Sequence, residues 1–599
     1  MARKILRAQR LSTQVGQAMA RNISGLVDIL LYRGKFTRAE AIATAIGSAA
    51  FALVFCYPLV RHLSISGAFG DWDLNSASER AVYWSVHQYH QFPLWNPFEC
   101  GGMPLLGDPQ SHFLSPWFFL TLIFGPVVGP HLEVILYDAI AWAGGYVLGR
   151  VLGMRRISAI CTATAFAGSS WFFLRASEGQ IVIMVFVYLP WIIAAGWTAS
   201  ERGKLRYAAL CGALIALSFF EGSPYPPLFE GLTLALVLLG RASVRLNARP
   251  LIALAVAAVF TAGFGAVKGL PTMKAMASHP RPTDAGYGNS VDALGEALLS
   301  RNQDHNRPSL NNWGFWELGA YVGLFAVIAM AGLISPRKAL PWILTAIILF
   351  HLARGWTGPN SLYVWLHSMP FFSSTRLPSR ILIPFVLMVA VLAGIGIDAV
   401  CSRGSPATLA VCALLILVGG VDLILVGPPN LRYALMSVVD PGPPRIGFAQ
   451  YHRDPALVES SVIRHHEGVV NCYTYTDWPT EAKGWNEPGY RGEQYLLGPG
   501  TVTLARWTPN RLEYVVDAPG PSLLVVNQNY DPSWRVISGA DQTLSWDGLL
   551  AVRLPAGKSR IVLRYISIAA ICGLIISMLT AFAAFVLVRL ESRRPLRDA

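Results

Sequence analysis

Apolar residues recur in long runs along the whole 599-residue chain. Crossing roughly 30 Å of hydrocarbon takes about 20 helical residues. Runs of about that size lie near 39–60, 131–152, 157–174, 180–199, 205–221, 226–240, 250–270, 316–334, 339–353, 379–400, 405–427 and 565–589. They predict about twelve spanning helices. One further piece, 113–128, is short and aromatic and carries Pro116 and Pro126. If it spans, Arg155 and Arg156 fall outside. If it lies in the interface, they fall inside, together with the basic loops 201–206, 241–249, 336–338 and 401–404 and the tail 589–599. Short Lys/Arg-rich loops collect on the cytoplasmic side, so 113–128 is expected to be interfacial or re-entrant.

Near the end the period changes from helical to two. Segments 512–516, 522–527, 550–554 and 559–565 alternate or run apolar, with Pro and Gly between them. That predicts a small β-sandwich between the last two spans. The expected organisation is then a basic, mildly amphipathic segment 1–38 on the cytoplasmic face and a transmembrane domain 39–427 with a first outer loop 61–130. An outer β-rich domain 428–564 and a final span with basic tail, 565–599, complete it. No cleavable signal peptide is expected, and both termini are cytoplasmic.

Composition agrees with this picture. The chain is 53% hydrophobic and 14% charged, with mean hydropathy +0.43, whereas soluble domains are about a quarter charged. Its net charge of +13 would suggest nucleic acid in a soluble protein. Here the basic residues sit in short clusters between apolar runs, as topology and anionic headgroups require, which excludes nucleic acid as the partner and points to membrane lipids. The eight cysteines form no C-x-x-C pair. Cys100 and Cys472 would both face outside and could pair, though nothing in their spacing argues for it.

The outer face carries the candidate chemistry. The first outer loop opens Gly70-Asp71-Trp72-Asp73. Two carboxylates so close to a membrane exit suit a general base or a divalent cation such as Mg or Mn; a solvated helix N-terminus would also favour them. The loop continues through Phe92-Pro-Leu-Trp95-Asn96-Pro-Phe98, Gly101-Gly102-Met-Pro104 and Asp108-Pro-Gln-Ser111, whose Pro, Gly and Trp density predicts a fixed irregular surface. Other outward ends carry Glu178, Glu221 and Glu317, the last in Trp316-Glu-Leu-Gly-Ala-Tyr321. Arg376 and Arg380 lie at the mouth of a span; guanidinium groups there suit bidentate phosphate binding. Lys268 and Lys274 are expected to snorkel to headgroups. Asp304-His305 suits a metal or simple hydration, of which hydration is expected, and no HExxH or tight His/Cys cluster suggests zinc.

These motifs, with Tyr188-Leu-Pro-Trp191, Gly222-Ser-Pro, Tyr321-Val-Gly323, Arg376-Leu-Pro-Ser-Arg380 leading to Ala393-Gly-Ile-Gly396, Asn529-Tyr-Asp-Pro-Ser-Trp534 and Val552-Arg-Leu-Pro-Ala-Gly557, resemble the YfhO-like family of bacterial membrane proteins. That family falls within the GT-C class of lipid-linked-sugar glycosyltransferases, and the resemblance covers nearly the whole chain. It implies a polytopic α-helical membrane enzyme of the bacterial plasma membrane, GT-C-like, with an extracytoplasmic β-sandwich. It also implies an inverting transferase that moves a sugar from a polyprenyl-phosphate donor to a glycan, lipid or polymer acceptor at the outer face. Such enzymes place an essential acid in the first outer loop, and the matching position is Asp71. Asp73 is an additional acid, so either of the two is a candidate base.

The expected roles follow. Asp71 or Asp73 is the base, and Arg376 and Arg380 hold the donor phosphate. Trp95, Asn96, Glu178, Glu221, Glu317 and Tyr321 bind substrate or, for the acids, a cation. The rival functions are a lipid-linked glycan transporter and a non-catalytic envelope assembly protein. A transporter would want charge along a path through the bundle, whereas spans such as 250–267 and 405–421 are nearly charge-free.

Overall fold

The computed structural model describes residues 29–593 except for 66–69, 246, 282, 284–285, 310–312, 403–404, 436–446, 455–456, 474–477 and 479. Most of the expected basic segment 1–38 and the end of the basic tail lie outside the described residues. The helices that matter here are α1 (Arg38–Phe55), α2 (Asp71–His87), α3 (Phe119–Val151), α4 (Arg156–Ala167), α5 (Ser170–Glu178), α6 (Leu189–Arg202), α7 (Leu205–Phe220), α8 (Pro226–Arg245), α9 (Arg249–Ser278), α10 (Pro336–Ala353), α11 (Leu382–Cys401), α12 (Pro406–Val426) and α13 (Ile568–Arg593).

Among the described residues eight helical segments are long and apolar enough to cross a membrane: Arg38–Phe55, Pro116–Val151, Arg156–Glu178, Ile181–Arg202, Arg249–Ser278, Pro378–Cys401, Pro406–Leu435 and Ile568–Arg593. The other four expected spans also form helices, but α7, α8, α10 and the short Leu324–Met330 are shorter or less apolar. The segment beginning at Pro116 is broken at Gly125, which has φ 84° and ψ 166°. Its first leg folds against the second so closely that a Cβ on Gly129 would lie 2.3 Å from the Thr121 backbone.

The bundle core is built on close backbone approach. Helix α4 is rich in small residues and is buried along its length. Gly145 and Gly149 of α3 press on its Ala163 and Ala159, where an added Cβ would meet Cα atoms at 2.7 and 2.8 Å. Gly394 of α11 packs against Ser158 and Thr162 from the other side. Without a hydrophobic driving force inside lipid, such small-residue contacts let van der Waals packing hold helices together. By contrast α13 lies on the periphery, with Ile571, Leu574, Met578 and Phe582 exposed; it is tied to α9 through the Ser577 hydroxyl, which donates to Phe264 O at 2.8 Å.

The basic loops converge at one end of the bundle. Arg33 and Arg155 each reach Asp398 at 3.1 Å, Lys338 approaches it at 3.9 Å, and Arg241 pairs with Glu201 at 3.0 Å. The tail joins them, because Glu591 accepts from the Leu205 amide at 2.8 Å. Arg380 and Asp398 sit at opposite ends of the α11 segment, 18 residues or about 27 Å apart.

The C-terminal part holds a two-sheet antiparallel sandwich. Its strands are preceded by four two-residue strands: β1 (Trp95–Asn96) paired with β2 (Met103–Pro104), and β3 (Gln450–Tyr451) paired with β4 (Gly468–Val469). The sandwich strands are β5 (Gln494–Leu496), β6 (Thr501–Thr508), β7 (Arg511–Ala518), β8 (Ser522–Asn529), β9 (Trp534–Ser538), β10 (Thr543–Trp546), β11 (Leu549–Leu554) and β12 (Gly557–Tyr565). The sheets run β10-β11-β8-β5 and β6-β7-β12-β9. Leu512, Tyr514 and Val516 alternate inward on β7, and Leu512 and Tyr514 stand opposite Leu563 and Ile561 of β12. The expected four strands are therefore present, with four more that the alternation did not reveal.

The first outer loop is bolted to this domain. Trp95 completes the sandwich core, edge-on to Trp534 at 5.6 Å and tilted against Tyr565 at 5.1 Å. Asn529 donates to Cys100 O and Gly102 O at 2.7 and 2.9 Å. Cys100 and Cys472 form a disulfide across 372 residues of sequence.

Candidate functional site

Two turns stacked backbone to backbone present Asp71. Gly70 caps α2 with φ +58°, and a Cβ there would lie 2.2 Å from Glu178 Oε1. Gly179 ends α5 with φ +86°, and a Cβ there would lie 2.3 Å from the Trp72 amide nitrogen. Both close approaches and both left-handed conformations call for glycine. The Trp72 indole donates to Ala176 O at 2.9 Å and the Asn75 amide to Gly179 O at 2.6 Å, locking α2 onto the end of α5. Trp72 is buried while Asp71 remains partly exposed at the first helical position.

Behind Asp71 lies a charged network. Gln180 hydrogen-bonds Asp71 and donates to Glu317 Oε2 at 3.0 Å, so one side-chain amide links the two carboxylates. Arg175 reaches Glu317 Oε2 at 3.0 Å and donates to Gln180 Oε1 at 3.2 Å. Arg380 donates to both Glu317 oxygens, at 2.8 and 3.3 Å. Burial raises the Asp71 carboxyl above its ordinary value; the Arg380 charge opposes the rise and the Glu317 charge reinforces it. A partly exposed carboxylate with a raised proton affinity, next to a helix N-terminus and two guanidiniums, has the chemistry of a general base.

The arginines divide. Arg380 is committed to Glu317 in bidentate fashion. Arg376 is half-buried and lies over the Trp313 ring at 4.5 Å, close enough to act on the Asp71 charge. It has no carboxylate partner among the described residues.

Glu178 Oε2 lies 3.2 Å from His305 Nε2. The Ser177 hydroxyl donates to Leu174 O at 2.7 Å, so at the 2.9 Å contact between Ser177 Oγ and His305 Nδ1 the ring nitrogen is the donor. Burial pushes His305 down to about 4. The neutral ring thus turns a lone pair on Nε2 toward Glu178. His305 is 1% exposed, which corrects its expected hydration; Asp304 does face the surface, where it meets Arg432 at 3.1 Å.

Several expected site residues are engaged elsewhere. Asp73 accepts from the amides of Glu459 and Ser460, both at 2.7 Å, at the start of the helix Glu459–Arg464. Trp95 belongs to the sandwich core, and Asn96 is fully buried, donating to Glu99 and accepting from the Phe98 amide at 3.0 Å. Tyr321 donates to Asp422 at 2.7 Å. Glu221 is buried in a separate group, accepting from Tyr137 at 2.6 Å and Tyr188 at 2.8 Å. Nearby are Glu133, 2.7 Å from the same Tyr137 hydroxyl, and the Glu79–His112 pair at 3.3 Å. Lys268 does not snorkel: it is 1% exposed and its ammonium donates to the carbonyls of Pro109, Ser111 and Phe219.

Sequence reading missed Arg175, Glu133, Asp138 and Glu230, all buried within helices of the bundle. Arg175 stands inside an apolar run, and its partner Glu317 is remote in sequence. Among the described residues no three His, Cys, Asp or Glu side chains are arranged to hold a metal ion. Three cavities, beside Tyr530, Trp197 and Trp507, do not include Asp71 in their walls.

No protein-family model and no curated protein matches the chain. Among solved structures it is similar to a single-particle cryo-EM structure of the arabinofuranosyltransferase AftD from Mycobacteria, in a mutant form, with TM-score 0.42 and 15% sequence identity. The match covers 73% of this chain and 33% of that one, so the chain spans about a third of that protein's length. A likeness at that level decides neither fold nor activity.

Proposed function

We propose that the chain is a membrane-embedded glycosyltransferase of GT-C type, working at the outer face of the bacterial plasma membrane with about twelve spans. Its donor is a polyprenyl-phosphate sugar and its acceptor a cell-envelope glycan, lipid or polymer. The observation that carries the reading is Asp71: a partly exposed carboxylate of raised proton affinity, set against Gln180, Glu178 and the Arg175–Glu317–Arg380 network. The basic loops gather at the other end of the bundle, which supports an outward-facing site. The step from a site for an anionic lipid to sugar transfer rests on the resemblance of the loop motifs.

In this reading Asp71 takes the proton of an acceptor hydroxyl. The hydroxyl oxygen attacks the anomeric carbon, and the bond from that carbon to the phosphate oxygen breaks with inversion. The electron pair goes to the lipid phosphate, whose charge Arg376 stabilises. Arg380 and Arg175 act at one remove by holding Glu317, and through Gln180 they orient Asp71.

A second reading is transport of a lipid-linked glycan, favoured by the buried carboxylates Glu133, Asp138 and Glu230 inside the helix bundle. Purified protein in liposomes separates the readings. The transferase moves labelled sugar from polyprenyl-phosphate sugar to acceptor, and Asp71→Asn abolishes it. Transbilayer movement of the lipid without transfer would support transport. Neither activity in wild type, with Asp71→Ala and Arg376→Ala altering stability alone, would leave the assembly role.

A further inference from the structure

A cavity of about 320 Å³ opens at the end of the bundle opposite Asp71. It lies among the ends of α3, α6, α8, α10 and α11. Its polar wall carries Arg241, Arg337 and Lys338 with Glu201 and Asp398. Both carboxylates are already engaged: Glu201 pairs with Arg241 at 3.0 Å, and Asp398 takes Arg33 and Arg155 at 3.1 Å each and the Arg155 amide at 2.9 Å. Among the described residues the cavity wall carries three cationic side chains against two carboxylates, and Arg33 and Arg155 bring two further cations to Asp398. Arg337 is exposed and Lys338 is 58% exposed, 3.9 Å from Asp398.

The rest of the wall is apolar. Trp197 and Trp342 stack at 5.7 Å, and Arg241 lies over the Trp197 ring at 3.8 Å. Leu152, Pro341 and Ile395 continue this surface. Surplus cations at one side of a cavity and indole and aliphatic walls at the other match an amphiphile with a phosphate head. The volume lies at the lower end of the range for small-ligand sites, enough for a headgroup and the start of a chain. Basic pockets between spanning helices at the cation-rich face are where anionic lipid heads bind.

We propose that this cavity is a binding site for the phosphate headgroup of an anionic membrane lipid, separate from the Asp71 site. Arg337 and Lys338 hold the phosphate, and the Trp197–Trp342 pair receives the glycerol and first methylenes.

The test is titration of the full-length protein in neutral detergent with dioctanoyl phosphatidylglycerol, dioctanoyl phosphatidylcholine or sodium phosphate, followed by tryptophan fluorescence and thermal stability. Saturable binding of phosphatidylglycerol is expected. It should weaken roughly thirtyfold in the Arg337→Ala/Lys338→Ala double variant, at about 1 kcal/mol for each cation. The conservative Arg337→Lys variant should bind nearly as wild type. Both side chains are exposed, so the unliganded melting temperature should not move. If it does, wild type titrated at raised salt replaces the variant and should show the same weakening. Equal binding by wild type and double variant overturns the proposal. So does phosphatidylcholine binding as tightly, or sodium phosphate saturating the site at the same concentration.

Discussion

Asp73 and Glu459 are joined side chain to backbone: Asp73 Oδ2 accepts the Glu459 amide at 2.7 Å while its other oxygen accepts Ser460. A carboxylate spent on two orphan amides at a helix start is a cap. Two residues earlier, Asp71 faces Gln180 instead and keeps some exposure. The two acids that the sequence left equivalent should therefore separate experimentally. Asp71→Asn should abolish transfer with an unchanged melting temperature. Asp73→Ala should retain activity per folded molecule but lose about 1–2 kcal/mol of stability. Sugar-transfer rates and thermal melts on both purified variants make the comparison. Full transfer by Asp71→Asn would remove Asp71 as the base.

Arg376 and Arg380 should separate in the same way. Arg380 is bound to buried Glu317, and removing one partner of a buried ion pair strands the other charge. Because Arg175 remains, Arg380→Ala should cost about 3 kcal/mol, near the low end for such losses. Arg376→Ala removes only a ring contact at 4.5 Å and should leave stability within about 0.5 kcal/mol. It should reduce kcat/KM for the lipid donor by roughly tenfold or more. A stable Arg380→Ala protein beside an unfolded Arg376→Ala protein would reverse the assignment.

What could be foreseen from sequence depended on how local the signal was. The alternation of Leu512, Tyr514 and Val516 is a property of one strand, and it was legible. Spanning helices declare themselves by length and apolarity. Arg175 could not be placed, because its position in a buried helix makes sense only beside Glu317, 142 residues away. The roles of Asp71 and Asp73 depend on Gln180 and on Glu459, which only the fold brings near. The same holds for Trp95: its aromatic bulk beside proline reads as an interfacial or ligand-binding ring, yet it fills the core of a sandwich more than 400 residues downstream.

Trp95→Ala should accordingly behave as a core cavity mutation. The ring is 1% exposed against Trp534 and Tyr565, and losing it should cost about 3–5 kcal/mol. Donor KM in the folded fraction should stay at the wild-type value. Trp95→Phe should recover most of the stability. A raised KM with an unchanged melt would restore Trp95 to the substrate site.

The Cys100–Cys472 bond ties the first outer loop to the chain just before the sandwich. Alkylation of denatured, non-reduced protein should label six cysteines by mass spectrometry, the six free thiols of the structure, and eight after reduction. Reduction or Cys100→Ser should lower stability by about 2–5 kcal/mol. Eight labelled cysteines without reductant would show that the bond does not form.

His305 makes its own contribution to stability depend on pH with a definite sign. Burial lowers His305 to about 4 in the folded protein, while an unfolded histidine titrates near 6.5. Between these values the unfolded chain binds more protons at His305 than the folded one, so the contribution of His305 to stability rises with pH across that window. His305 therefore contributes stability that is fully present above about 6.5 and drains away as pH falls toward about 4. His305→Gln keeps a donor and an acceptor but cannot titrate there, so stability should rise less with pH in the variant than in wild type over this window, while the neutral-pH melt stays within about 1 kcal/mol. Chemical denaturation of both proteins at closely spaced pH values between 4 and 7.5 measures the slope. Identical slopes in wild type and variant would mean that His305 is already protonated in the folded state, with Glu178 ionised beside it. Nδ1 would still donate to the Ser177 hydroxyl, but the neutral state of the ring would then be wrong. A separate activity profile should show a base limb whose midpoint lies above the ordinary carboxylate value, because burial raises Asp71; that limb should persist in His305→Gln, since the proton that limits transfer sits on Asp71 and not on the histidine.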